Sequence, residues 1–237
     1  MTIHVIKQEW TYMRKLIISG IIASVFGLLA PQILQAQGTT YLSNFDQSSV
    51  GSLAVGSDSW VAGIFETGTN PSGYVLNSIQ LAMTDALGSP GGFTVMLYAP
   101  ASGSPLPGRS LGTLNGSLNP VTAGIYTFTP TAPITLPVEY VYNIVLTAGT
   151  AVADGAYEWS YAGISSYNAS GGWSTLAGAL GGAWTSTNGS LSWNGSDGST
   201  FPQFAVNGSA VPEPGGLSLF VVGGFLLVWR RRKAKAI

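Results

Sequence analysis

The stretch Tyr74–Met83, YVLNSIQLAM, mixes apolar and polar residues as a half-buried strand does, and the habit returns at short intervals. Gly92–Ala99 reads GFTVMLYA, Gly124–Thr129 GIYTFT, Tyr140–Ala148 YVYNIVLTA, Tyr157–Ala162 YEWSYA and Pro202–Asn207 PQFAVN. All six are rich in β-branched and aromatic residues, which fit a pleated surface, and all are bounded by Gly, Pro, Asn or Ser turns. Between residues 37 and 210 nothing has a helical period with caps. The chain therefore calls for an all-β body over 37–210, and its many short strands favour a β-sandwich or jelly roll over a parallel sheet.

Two segments interrupt the pattern. Ala99–Arg109, APASGSPLPGR, carries three prolines and is expected as a loop or edge connection, because proline donates no ladder hydrogen bond. Gly172–Gly198 is too rich in Gly, Ser and Asn for a helix and is expected as loop or weakly paired chain. Its Trp173, Trp184 and Trp193 recur at spacings of 11 and 9, a faint repeat signal.

Composition narrows the chemistry. Eight carboxylates in the body (Asp46, Asp58, Glu66, Asp85, Glu139, Asp154, Glu158 and Asp197) face Arg109 alone, a formal charge of −7 that repels phosphate backbones and argues against nucleic acid as a partner. The 237 residues include no Cys, which excludes disulfides and thiolate metal sites, and the single histidine is His4, which removes Ser-His-Asp catalysis and His-ligated metals from the body. No cofactor is called for.

The two ends read as addresses. Arg14 and Lys15 form a basic region, Leu16–Ala30 an apolar one, and Leu34-Gln35-Ala36 a small-residue cleavage context, so residues 1–36 are expected as a secretory signal peptide, with Met13 as an alternative start and an uncut anchor as the other reading. At the other end, residues 211–237 carry Val211-Pro212-Glu213-Pro214, then an uncharged run over 215–229, then Arg230, Arg231, Arg232 and Lys233. A 15-residue helix covers about 22 Å, short of the roughly 30 Å hydrocarbon core, and spans with local thinning and snorkelling of the arginines. Trp229 suits the interface, and the basic cluster places that end in the cytoplasm. The two prolines keep the Val-Pro-Glu-Pro segment extended and accessible.

This tripartite tail resembles the PEP-CTERM sorting signal. The resemblance implies recognition by an exosortase, a membrane transpeptidase-like enzyme, after delivery by the secretion machinery. An ordinary membrane anchor is the plainer alternative. In the body, Tyr41-Leu42-Ser43-Asn44-Phe45, Trp60 with Ile64-Phe65, Tyr74-Val75-Leu76 with Ile79, Phe93 with Val95, Leu97 and Tyr98, Tyr140 with Tyr142, and Tyr157-Glu158-Trp159 resemble the choice-of-anchor R domain of surface proteins. That family brings no activity with it.

No catalytic residues stand out. Asp154 and Glu158 have the types of a glycosidase pair, but four residues apart at a turn they read as solvated carboxylates. Trp173, Trp184 and Trp193, with Tyr161 and Tyr167, are candidate glycan contacts, since aromatic rings offer flat apolar surfaces to sugars; the competing reading makes them core or loop staples. The expectation is a non-enzymatic exported protein of the cell envelope, surface or extracellular matrix, with a structural or adhesive role, or alternatively a carbohydrate-binding module for extracellular polysaccharide.

Overall fold

The computed structural model describes residues 38–176, 178–195 and 198–213. The expected signal peptide at 1–36 and transmembrane helix at 215–229 lie outside them. Among the described residues no helix is long and apolar enough to cross a membrane.

Fifteen strands account for most of the described chain. They run as β1 (Thr39–Ser43), β2 (Ser49–Val55), β3 (Trp60–Glu66), β4 (Tyr74–Gly88), β5 (Thr94–Pro100), β6 (Pro107–Asn115) and β7 (Gly124–Pro130). After these come β8 (Thr135–Leu136), β9 (Val141–Thr147), β10 (Gly155–Ala162), β11 (Asn168–Ala169), β12 (Trp184–Ser186), β13 (Asn194–Gly195), β14 (Phe201–Pro202) and β15 (Phe204–Ala210). The one helical piece among the described residues is a 3-10 turn at Gly178–Gly181. The body is all-β, and each strand pair is antiparallel.

The strands form one curled sheet in the order β11-β1-β15-β4-β7-β6-β5-β9-β3-β12-β13, with β10, β2, β14 and β8 attached off that path. The curl turns at β7, whose Gly124–Phe128 pairs with β4 while Thr129 and Pro130 pair with β6. Side chains that alternate inward fill one core: Val61 and Phe65 from β3, Ile79, Leu81 and Met83 from β4, Val95 and Leu97 from β5, Tyr157 and Trp159 from β10, and Phe204 and Val206 from β15. In β4 the alternation slips, because Leu76 and Ile79 are both buried. The register against β15 shifts there, Ser78 facing Asn207 and Leu76 facing Gly208, so Asn77 is the extra residue of a bulge and both apolar neighbours reach the core.

The strand from Phe201 to Ala210 forks the sheet. Its first two residues pair with β10 and the rest with β4, and Gln203 stands at the split. A buried amide here must find partners. The Gln203 side chain accepts from Ser160 Oγ at 2.5 Å and donates to Gln47 O at 2.7 Å, while Asn44 donates to Pro202 O at 3.1 Å and accepts from Phe204 N at 2.9 Å. Trp159 Nε1 donates to Gln203 O at 2.9 Å and so ties the largest core ring to the same point.

On the far side from β7, Asn168–Ser174 bridges the two arms of the curl. β11 pairs with β1, and Ser174 bridges to Glu66 at the end of β3. Trp173 sits in this seam, stacked on Tyr41 at 5.0 Å and Phe65 at 5.8 Å and edge-on to Tyr74 at 5.0 Å.

Candidate functional sites

The first candidate is the place where the tail leaves the fold. Thr39 at the start of β1 pairs with Gly208 near the end of β15, so the two ends of the described body lie side by side. β15 ends at Ala210, opposite Tyr74, and the next residue is still held: Val211 N donates to Gly73 O at 3.0 Å, and Val211 O accepts from Asn70 Nδ2 at 3.1 Å. Asn70 Nδ2 also reaches Gly73 O at 2.6 Å, which locks the turn that receives the tail. That turn needs glycine: Gly73 has φ +74°, and a Cβ there would lie 2.6 Å from Leu136 O. Beyond this clamp Pro212 and Glu213 are exposed and irregular. Pro214 and the basic residues Arg230, Arg231, Arg232 and Lys233 lie outside the described residues.

The three tryptophans proposed as glycan contacts do not share a face. Trp173 is 2% exposed and belongs to the main core, which withdraws it from any platform. Trp184 and Trp193 pack on the opposite face of the sheet, against Ala62, Tyr98 and Val145, together with Trp60 and Met96. There they staple the Gly-rich excursion: Trp184 pairs with Ala62, donates through Nε1 to Leu180 O at 3.3 Å, and has Gly195 lying across its ring, where a Cβ would come within 2.8 Å. The spacings of 11 and 9 thus mark no structural repeat. Tyr167 packs on Phe204 at 5.6 Å and donates to Pro202 O at 3.4 Å, so it supports the fork. Trp60 and Tyr98 stood in the sequence only among the positions of the family resemblance, not as candidate contacts, and Met96 was not singled out, although the alternation of β3, with Val61 and Phe65 inward, implies that Trp60 faces the other way.

An open groove of about 500 Å³ runs between the β5–β6 loop and the start of β9. Glu139, Tyr140 and Val141 form one side, and Ser102 and Ser104 lie on the other. Tyr140 is 40% exposed, and Glu139 adopts φ +49°, a left-handed conformation that a non-glycine residue keeps only when its surroundings impose it. Thr67 is the hub that imposes it: its hydroxyl donates to Pro137 O at 2.5 Å and accepts from Tyr140 N at 2.9 Å, and its own N–H donates to Tyr140 O at 3.0 Å.

The carboxylates Asp154 and Glu158 take different surroundings. Asp154 is exposed in the turn before β10, whereas Glu158 is 5% exposed within the strand, between Ala54 and Thr84 of its neighbours. Among the described residues no group of three His, Cys, Asp or Glu side chains is placed to hold a metal. Burial pushes the Tyr142 and Tyr167 hydroxyls well above their ordinary range, and Tyr140 beside Tyr142 adds to the first shift. Neither the family models nor the curated proteins compared with this sequence match it.

Proposed function

We propose that this is an exported protein of the cell surface or extracellular matrix, non-enzymatic, with a structural or adhesive role. In this reading a signal peptide at 1–36 delivers it to the secretion machinery, the 215–229 segment holds it in the membrane, and a PEP-CTERM tail hands it to an exosortase. The body is a β-sandwich whose two arms meet at β7, of the choice-of-anchor kind. One observation carries the sorting reading: the fold ends in a clamp on Val211, and Pro212 and Glu213 emerge from it exposed, at the end of the body where β1 also begins. A motif placed there is accessible to a processing enzyme, and the two ends of the described body lie side by side. Replacing Pro212 and Glu213 with alanine in the host tests it. The reading expects the variant to be retained in membranes with its tail intact while wild type is released without it, and equal release of the two would refute it.

A second reading is favoured by the groove, where the exposed Tyr140 ring stands beside a carboxylate and two serines. A ring next to hydroxyl and carboxylate acceptors suits a neutral sugar of an extracellular polysaccharide. Affinity electrophoresis in polysaccharide gels, comparing wild type with Tyr140→Ala, tests it: retardation lost in the variant supports a carbohydrate-binding role, and unretarded wild type removes it.

A further inference from the structure

The triplet Asn-Gly-Ser occurs four times in the body, at 115–117, 188–190, 194–196 and 207–209. Each Asn-Gly pair invites the same reaction. Glycine has no Cβ, so its main-chain nitrogen can approach the preceding side chain, attack Asn Cγ and expel ammonia. Water then opens the cyclic imide at one of its two carbonyls and leaves aspartate or isoaspartate. The local sequence is the same at all four places, so the fold alone ranks them. A reactive site needs a side-chain amide free to turn, a glycine N–H that no acceptor holds, and a main chain able to rotate between them.

Three of the four lack one of these. Asn207 is 6% exposed and its amide donates to Ser78 Oγ at 3.1 Å and Gln80 Oε1 at 3.4 Å, while Gly208 is flanked by Thr39 of β1 and Leu76 of β4. Asn188 is exposed but tied: Oδ1 accepts from Ser186 Oγ at 2.9 Å and from Ser192 N at 3.0 Å, and Nδ2 donates to Ser192 Oγ at 2.8 Å. Asn115 closes the nine-residue β6 opposite Thr129, and the loop after it is pinned where Tyr157 OH donates to Asn119 Oδ1 at 2.8 Å.

Asn194 is exposed, and its side-chain amide has no hydrogen-bond partner among the described residues. It lies in β13, two residues long and paired with β12 alone. The direction of the Gly195 N–H follows from β3. Glu66 and Ser174 exchange both main-chain bonds, at 2.8 and 3.1 Å, on the side of β3 away from β9. The β3–β9 register is regular from Val61 to Glu66, so Ala62 turns to that same side and forms the hydrogen-bonded pair with Trp184. Ala183 and Thr185 then face away from β3, and Ala183 N does donate to Thr200 O at 2.8 Å. Thr185 bonds Asn194, and Gly195, one residue on, turns its N–H away from β12.

We propose that Asn194 is a self-modification site, the Asn-Gly pair of the folded body that converts first to isoaspartate, and that its conversion unpins the 172–198 excursion. Isoaspartate routes the main chain through the former side-chain carbonyl, which inserts a methylene before Gly195 and leaves a free carboxylate. A two-residue strand has no length over which to absorb the extra atom, so Asn194 and Gly195 cannot both keep their places opposite Thr185 and Trp184. Gly195 then leaves the Trp184 ring it lies across. With it goes part of the staple that holds Trp184 and Trp193 on Ala62, Tyr98 and Val145.

The test keeps the full chain in detergent in mildly alkaline buffer, which favours the deprotonated attacking amide. A protease specific for aromatic residues then separates the four triplets, because Tyr126, Trp193 and Phe204 stand between them. Isoaspartate in each peptide is counted by enzymatic methylation. In urea the four are expected to convert at similar rates. In the folded chain Asn194 is expected to convert ahead of Asn115 and Asn188 and at least about tenfold faster than Asn207, whose reaction waits on opening of the sheet. Aged wild type is expected to be cleaved within 172–198 faster than fresh protein, and equally aged Asn194→Gln is not. A folded chain in which another of the four converts as fast as Asn194, or in which none converts, would overturn the site. Equal cleavage of aged wild type and a folded, aged Asn194→Gln would overturn the unpinning; should that variant fail to fold, cleavage of wild type before and after conversion decides.

Discussion

Replacing Gly63 with alanine tests how the two arms of the curl are fitted together. Gly63 is buried on β3, and a Cβ there would stand 2.9 Å from Trp159 Cη2, 3.4 Å from Phe204 Cε1 and 3.6 Å from Pro202 Cβ. Carbon atoms in van der Waals contact prefer about 3.5–4.0 Å, so the indole must slide by roughly half an ångström or more. It is not free to do so, because Trp159 is fully buried and its Nε1 is held at 2.9 Å from Gln203 O. Overpacking of this sort costs about 1–3 kcal/mol. Taking about 2 kcal/mol for a chain of this size, the melting temperature falls by about 4–8 °C. The cause is separable from a general loss of stability by a double-mutant cycle. Trp159→Phe alone loses the hydrogen bond and leaves space, costing about 2 kcal/mol. In that background the alanine methyl enters vacated room, so the double variant is more stable than the sum of the singles implies by about 1 kcal/mol or more. Urea unfolding of residues 37–210 followed by far-UV circular dichroism measures all four corners. Additivity to within about 0.5 kcal/mol would refute the steric argument.

Three further outcomes are expected. Thr67→Val keeps the shape of the side chain but strips Tyr140 N–H and Pro137 O of their partner, so stability drops by about 1–3 kcal/mol, and hydrogen exchange at Tyr140 quickens while that of the core strands does not. Asn70→Ala opens the clamp on Val211: amide exchange at Val211 and proteolysis at the base of the tail accelerate, with global stability lowered by about 1 kcal/mol; unchanged cleavage would show that the clamp does not control exposure of the tail. Tyr142 and Tyr167 have hydroxyl pKa values raised by burial, so the stability carried by their neutral forms is complete below the ordinary tyrosine value near 10 and is lost as pH climbs beyond it, where the unfolded chain gives up its protons first. Urea midpoints should therefore fall steadily above pH 10, and a flat profile would contradict that burial.

Strands with strong β formers between clear turns were the legible part of the fold. Gly124–Thr129 became β7 nearly residue for residue, and Tyr140–Ala148 became β9, because both faces of these runs carry β-branched or aromatic residues between clear turn signals. β1, β2, β3 and β6 were harder to see. β2 is small and serine-rich, and β6 begins with a proline inside a segment expected as loop or edge; an edge strand tolerates that proline since its N–H side has no ladder to serve. The length of β4 was also hidden: past Met83 the apolar alternation weakens, and long-range contacts keep it extended to Gly88, pairing with β10 on one side and Ala86 N donating to Val121 O at 2.9 Å on the other. Gly172–Gly198 behaved as its composition implies, with two short strands and a 3-10 turn. The fate of its tryptophans could not be read locally. Trp173 falls inside and Trp184 outside because Ser174 bridges to Glu66 while Trp184 pairs with Ala62, a difference of long-range pairing that spacing does not encode. The end of the fold at Val211 was legible as a boundary from Pro212, but the clamp by Asn70, 141 residues away in sequence, was not.

The central claim is that Val211–Pro214 is a removable sorting address at the exit of a folded, exported body. The intact mass of the protein recovered from the membrane and extracellular fractions of its host tests it most directly. The account predicts extracellular chain that has lost its first 36 residues and everything beyond the Val211–Pro214 region. Mature protein found only in membranes, with the 215–237 tail still attached, would contradict it and make that tail a permanent anchor.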